Sequence, residues 1–365
     1  MIDLQKLFID VFDPQPGEIA LVLHDAPHGL LCDTSAWARR RAMAARWHAA
    51  LLQLGARRNF RVLPLTSYPA TGAHNAQLPE QGSQGSAPVR LSALASQATL
   101  VLALTQFSAS APLIGWTQRF PRLRVASLPT VAPEMEETAL AADYAQVARS
   151  CALLRDRLNA ADYARLSFSN GDKLTLDLRF RAAHVDDGQL HSDKAPPRLV
   201  NLPSGEAYQA IYEGERSGVP SATRGVLPVE WRGDVVRLEI DCNRVVDVLG
   251  RNEAADDLRN FLATDGARRN VAELGLGCNP KARVWGNVLE DEKAGPHIAL
   301  GRSEHLGGVI GPDAFEDPRH VWHQDFVYTR ECANHVAEMI LLDSGGQPDL
   351  LVVNGRYVEA LEVGI

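Results

Sequence analysis

A chain of 365 residues with 45% apolar and 22% charged side chains has the balance of a soluble globular protein, with length enough for two domains that each bury a core. Its formal net charge of -8, with no block of lysine and arginine, argues against nucleic acid or an anionic membrane as the main partner. No uninterrupted apolar run approaches the roughly 20 residues that span a bilayer, and the opening MIDLQKLFIDVF lacks the basic-then-apolar order of a signal peptide. The five cysteines, Cys32, Cys151, Cys242, Cys278 and Cys332, are scattered without CxxC spacing, which favours a reducing cytoplasm over a disulfide framework or a thiolate zinc site.

After a proline- and glycine-rich turn at Pro14 to Gly17, the run Glu18 to His24 reads as a buried strand. Ser35 to Leu54 reads as a helix ended by Gly55, and Phe60 to Leu65 as a second strand. Pro79 to Pro88 has the composition of an exposed linker. Ala98 to Leu104 and Leu123 to Pro129 are further strands, with a helix between them. Near-continuous apolar strands interleaved with helices predict a parallel sheet covered on both faces. No GxGxxG follows the first strand, so a dinucleotide site has little support. A helix from about Glu134 to Asn159 bridges to a second half of different character. There Tyr163 to Phe180 alternates apolar and polar residues around Asn170-Gly171, a strong hairpin signal, and Val235 to Ile240 and Val245 to Gly250 alternate likewise. One helix, Glu253 to Gly266, interrupts them. The expected architecture is α/β: a parallel N-terminal domain over residues 1–160, then a mainly antiparallel α+β domain over residues 161–365.

The residues that carry chemistry concentrate between Glu273 and Asp325. Glu273, Glu292, His297, His323 and Asp325 each stand beside glycine or an apolar run rather than on a charged helix face. Val288-Leu289 and Ile298 to Leu300 read as short buried strands, and a carboxylate or imidazole buried beside them needs a cation or hydrogen bonds to offset desolvation. In His323-Gln324-Asp325 a strand points both outer side chains to one face, where they can grip one ion. Mixed imidazole and carboxylate ligands suit zinc, cobalt, manganese or iron. The bland alternative pairs Glu292 with Lys293 on the surface and leaves His297 a satisfied core histidine. Upstream, Pro203-Ser204-Gly205 delivers Glu206 to the start of another strand-like run.

Taken together, NLPSGEAY, AELGLGCNP, GNVLEDEK, HIALG and WHQDF resemble the thermophilic aminopeptidase T family of dinuclear metallopeptidases, and PGEIALVL and VASLPTVAPEM resemble its N-terminal domain. Carried over motif by motif, the resemblance implies Glu206, Glu273, Glu292, His297, His323 and Asp325 as ligands of two divalent ions, with Glu273 as the bridge. It also implies a short-peptide or small-amide substrate and a homodimer. Such an ion pair lowers the pKa of a shared water, polarises the scissile carbonyl and anchors the substrate's free amine. Glu206 or Glu273 would then shuttle the proton to the leaving amine. The chain departs from the family seven residues after His297, where Glu304 replaces an expected tyrosine. An ionised acid cannot stabilise an oxyanion, and the neighbouring His305 is the candidate substitute.

The chain is also similar, more distantly, to the 2,5-dihydroxypyridine dioxygenases, which keep the HxD pair but use a histidine at the Glu273 position to bind one Fe(II). That reading leaves Glu206, Glu292 and His297 unexplained. A non-catalytic binding protein would leave all six idle.

Overall fold

The protein is described by a computed structural model covering residues 2–195 and 198–358. Two compact units divide it. One holds the chain up to Ala148 with Asp186–Ser204 and Lys281–Arg283, and the other holds Arg149–Val185, Gly205–Pro280 and the chain from Val284 onward.

The first unit opens with helix α1 (Leu4–Phe12), whose N-terminal amides at Gln5 and Lys6 are capped by the Asp3 carboxylate. Strand β1 (Ile19–Ala26) follows, and its Ala20, Leu21, Val22 and Leu23 are all buried. A strand without polar alternation must be covered on both faces, and β1 is central and parallel to its neighbours. Helix α2 (Ser35–Arg58) is capped by Thr34 at its start and by Asn59, in the left-handed conformation, at its end. It outruns the expected stop at Gly55. That glycine is a close approach instead, since a Cβ there would lie 2.7 Å from the Phe60 carbonyl oxygen. The expected strand at Phe60 to Leu65 shrinks to β2 (Arg61–Val62), after which Pro64, lacking an N–H, precedes a fresh start at β3 (Thr66–Pro69). The expected linker is in fact a hairpin, β4 (Gln81–Gln84) with β5 (Ala87–Arg90). Helix α3 (Leu91–Gln97), β6 (Leu100–Thr105), helix α4 (Ser110–Arg119) and β7 (Arg124–Pro129) complete the alternation. The expected helix from Glu134 breaks into two 3-10 turns before α5 (Tyr144–Asn159) begins. Pro133 starts the first turn, and buried Glu136 is drawn aside by Trp47 Nε1 (2.8 Å) and Arg46 (2.7 Å).

In the second unit β8 (Tyr163–Phe168) and β9 (Lys173–Asp177) form the hairpin expected at Asn170-Gly171, with Gly171 at φ +89°. The remaining strands are β10 (His184–Asp186), β11 (Leu199–Asn201), β12 (Glu206–Ala210), β13 (Arg224–Trp231), β14 (Asp234–Asp241) and β15 (Arg244–Leu249), then, after α6 (Glu253–Ala263), β16 (Val271–Gly277), helical turn α7 (Val288–Asp291), β17 (Pro296–Gly301), β18 (His323–Val327), β19 (Val336–Leu342), β20 (Pro348–Val353) and β21 (Arg356–Tyr357). Strand β11 joins the sheet of the first unit in the order β11-β7-β6-β1-β3-β4-β5. An antiparallel sheet runs β15-β14-β13-β9-β8-β19-β20-β21, and a second, β10-β12-β16-β17-β18, carries the candidate site. The predicted fold class holds: parallel pairing in the N-terminal part and antiparallel pairing later.

Candidate metal centre

Strands β12, β16, β17 and β18 pair antiparallel in one continuous ladder. Because side chains alternate across a pleat, Glu206, Glu273, His297, His323 and Asp325 all rise from the same face. The opposite face, with Ala272, Leu274, Leu276, Ile298 and Leu300 all buried, is core. Each buried leucine or isoleucine contributes about 1.5–3 kcal/mol, so the register that aims the ligands is fixed by apolar burial on the other side.

Each of the five has a small residue across the ladder. Glu206 faces Gly277, Glu273 faces Ala210 and Ala299, His297 faces Gly275, His323 faces Gly301, and Asp325 faces Ala299. Directly opposed side chains stand only about 4.5–5.5 Å apart, so two large ones would crowd the space over the sheet. Gly275 is the sharpest case, since a Cβ there would lie 1.8 Å from His297 Nε2. At Gly277 it would meet the Glu292 carbonyl oxygen at 2.2 Å.

Two triads result. Glu206, Glu273 and His297 bring one ligand atom each within 4.8 Å of one another, as do Glu273, His323 and Asp325. His297 Nε2 lies 3.3 Å from Glu206 Oε2 and 3.9 Å from Glu273 Oε1. His323 Nε2 lies 3.3 Å from Glu273 Oε2 and 3.5 Å from Asp325 Oδ1. Glu273 thus turns one oxygen to each histidine. Both imidazoles have their other nitrogen committed: His297 Nδ1 donates to the Gly295 carbonyl at 3.2 Å and His323 Nδ1 to that of Arg302 at 2.7 Å. A carbonyl only accepts, so Nδ1 carries a hydrogen and Nε2 is the nitrogen turned to the cluster, free to ligate a metal once its own proton has left, with the supporting contact of a metal ligand already made. Glu206 Oε2 is buried with no hydrogen-bond partner. A desolvated carboxylate oxygen without a hydrogen bond, beside an imidazole nitrogen that can exchange its proton for a metal, fits a divalent cation.

Electrostatics agree. Burial raises the Glu273 pKa, and burial with the charges of Glu206 and Asp325 nearby pushes Glu292 up to about 8 despite Lys293. Burial opposes protonation of His297, yet Glu206, Asp325 and Glu273 push its pKa up to about 10. His323 is raised for the same reason by Asp325 and Glu273. Before an ion binds, protons hold together what a cation would.

Around α7 the structure departs from the expected elements. Val288-Leu289 is not a buried strand but part of a helical turn capped by Asn287, with Val288 46% exposed. Glu292 ends that turn and does pair with Lys293, but not at the surface: the lysine side chain is fully buried and also bonds Glu206. Glu206 and Glu273 are both buried. Glu304 is locked in a forked pair with Arg302, which holds its carboxyl below the usual range although burial acts the other way. The ring of His305 stands 5.0 Å from that of His323. Burial, then His323 and Arg302, push its pKa down to about 3, so it stays neutral. Its loop is tied down by Glu213, whose side chain is 4% exposed and which accepts from Ser303 Oγ and the Val309 amide at 2.6 Å each. A cavity of about 380 Å³ reaches Asp325, walled by Pro228, Trp231, Phe326 and Asn334 among others. Sequence reasoning missed Gly275, Gly277, Lys293 and Glu213. The glycines were findable, since two glycines spaced by two on a strand mark one face.

Residues 131–307 match the thermophilic metalloprotease family. That stretch contains Glu206, Glu273, Glu292 and His297 and stops short of His323 and Asp325. The resemblance read from the motifs is therefore sound over this stretch, which is just under half of the chain. Two solved structures share the fold over nearly the whole chain. The 2,5-dihydroxypyridine dioxygenase from Pseudomonas putida KT2440 is 16% identical with a TM-score of 0.65, covering 98% of this chain and 97% of its own. Wild-type AmpT from Thermus thermophilus is 17% identical with a TM-score of 0.57, covering 97% and 98%. At such identities the two likenesses speak for the fold alone. No curated protein matches the chain. Among the described residues, no helix is long and apolar enough to cross a membrane.

Proposed function

We propose that the protein is an aminopeptidase-like amide hydrolase working with two divalent ions, zinc, cobalt or manganese, on a short peptide or small amide. The observation that supports this reading best is the pair of triads that share Glu273. Glu206, Glu273 and His297, with Glu292 as a further ligand, would hold one ion, and Glu273, His323 and Asp325 the other. When bound, the ions would polarise the scissile carbonyl, activate a shared water and anchor the substrate's amine. The chain's own groups do the rest. Glu273, buried and turned toward both triads, accepts the proton from the attacking water and returns it to the leaving amine. His305, neutral beside His323, offers a ring N–H to the developing oxyanion in place of the family's tyrosine, whereas Glu304 is committed to Arg302. A homodimer, by resemblance to the family, and a reducing cytoplasm, by the scattered cysteines, complete the reading.

The test is to strip the protein with a chelator, reload it with zinc, cobalt or manganese, and assay aminoacyl amides and dipeptides. Metal-restored release of the N-terminal residue is expected, with two ions per chain by elemental analysis. The likeness to the dioxygenase motivates a second reading, a mononuclear Fe(II) ring-cleaving oxygenase. Its ligands here would be His323, Asp325 and the carboxylate of Glu273, one imidazole short of the usual two-histidine set. One tightly held iron, with oxygen uptake on dihydroxypyridines, would decide for it.

A further inference from the structure

Lys293 has no task in the chemistry proposed above, yet its side chain is fully buried. An ammonium that deep persists only beside anions that offset its desolvation. Here the anions are two candidate ligands at once: Nζ donates to Glu206 Oε1 and lies 2.7 Å from Glu292 Oε1. Its backbone is fixed on both sides, the amide donating to the Glu290 carbonyl at 2.9 Å and the carbonyl accepting from the Asn279 amide at 3.0 Å. The close passage is possible because position 277 is glycine, where a Cβ would come within 2.6 Å of the Lys293 carbonyl carbon.

We infer that Lys293 is a positioning residue that leaves Glu206 and Glu292 one coordinating oxygen each. The inference rests on the metal site proposed above. One ammonium holds Oε1 of both carboxylates, so each can offer an ion only its second oxygen. In Glu206 that second oxygen is Oε2, the buried atom without a hydrogen bond, 3.3 Å from His297 Nε2. The oxygens of Glu273 face His297 and His323 instead, which leaves that carboxylate able to serve both triads. Lys293 thereby divides the labour among chemically identical side chains: single-oxygen ligands at Glu206 and Glu292, a shared ligand at Glu273.

The test uses Lys293→Met and Lys293→Gln in the full chain, stripped and reloaded with Co(II), with folding followed by circular dichroism and melting. The Met variant should bind cobalt roughly 10- to 100-fold more weakly, the range expected when a group supporting metal ligands is lost. Its visible absorption should change in shape and intensity, because freed carboxylates can chelate through both oxygens. Lys293→Gln, which keeps a donor, should recover part of the affinity, and in both variants kcat should fall more than KM rises. A folded Met variant with wild-type affinity and spectrum would overturn the role of Lys293 alone. Collapse of the fold in both variants would overturn it too, since the lysine would then serve the core rather than the ligands. Wild-type protein that takes up no cobalt would instead sink the metal reading itself.

Discussion

Glu273 shows how much a single carboxylate can be asked to do. Its two oxygens face two different histidines, it is buried, and burial raises its pKa, so it suits both sharing between ions and proton transfer. Glu273→Gln should lower kcat by three orders of magnitude or more, about 4 kcal/mol of barrier, while circular dichroism shows the fold retained. Turnover within tenfold of wild type would remove Glu273 from the chemistry. Glu304→Gln, by contrast, should change kcat by less than about threefold, because Glu304 is spent on Arg302. At this scale the sequence was informative about which residues matter and poor about their surroundings. Glu273, His323 and Asp325 stood out because acids and imidazoles flanked by glycine and apolar residues are costly to bury. Lys293 did not, because a lysine after three acids looks like part of an exposed charged run until the strand it lies against is known.

Strands β16 and β17 show the reverse, a property carried by what is missing. Gly275→Ala would place a methyl 1.8 Å from His297 Nε2, and the neighbouring main chain is held in the ladder, so the imidazole must rotate away. The substitution should weaken metal binding at the His297 triad by tenfold or more, read by titration with zinc and a competing chelator. Unchanged affinity would mean that His297 is not a ligand. Elements with local signals were legible: the β8–β9 hairpin follows from Asn170-Gly171, and β1 from an unbroken apolar run. The β4–β5 hairpin was not, because Gln81, Gly82, Ser83 and Gln84 carry no strand pattern. Their pairing depends on contacts such as the 2.8 Å bond between Ser83 and Ser67 Oγ atoms, and on Gly82 fitting against the Ser67 carbonyl. Val288-Leu289 misled for a related reason: two apolar residues cannot distinguish a strand from one helical turn.

For the molecule as a whole, the alternation of strands and helices in the first part and the period-two patterns in the second sufficed to read the fold class. Pairing order was beyond reach, since β12 joins β16 only through contacts distant in sequence. Protonation links the centre to global stability. Glu292 is raised to about 8 from an unfolded value of about 4.3, so its contribution to the stripped protein is complete below that lower value and lost as pH climbs through 8. His297, raised to about 10, contributes fully below about 6.5 and loses this on the way to 10. An ion needs Glu292 ionised and His297 neutral, so binding should release protons and tighten as pH rises from about 6 to 9. Calorimetry in two buffers of different ionisation enthalpy measures that release, and the gain in Tm on adding zinc should grow over the same range. Affinity independent of pH would contradict these protonation states. The ladder β12-β16-β17-β18 also sets a timetable. The proposed ligands are strung from residue 206 to residue 325, and only Glu292 with His297 and His323 with Asp325 are near neighbours in the chain, so no ion can gather a full set until long loops have closed. Zinc should therefore leave the refolding rate almost untouched and slow unfolding instead, a latch on a finished sheet rather than a seed for it.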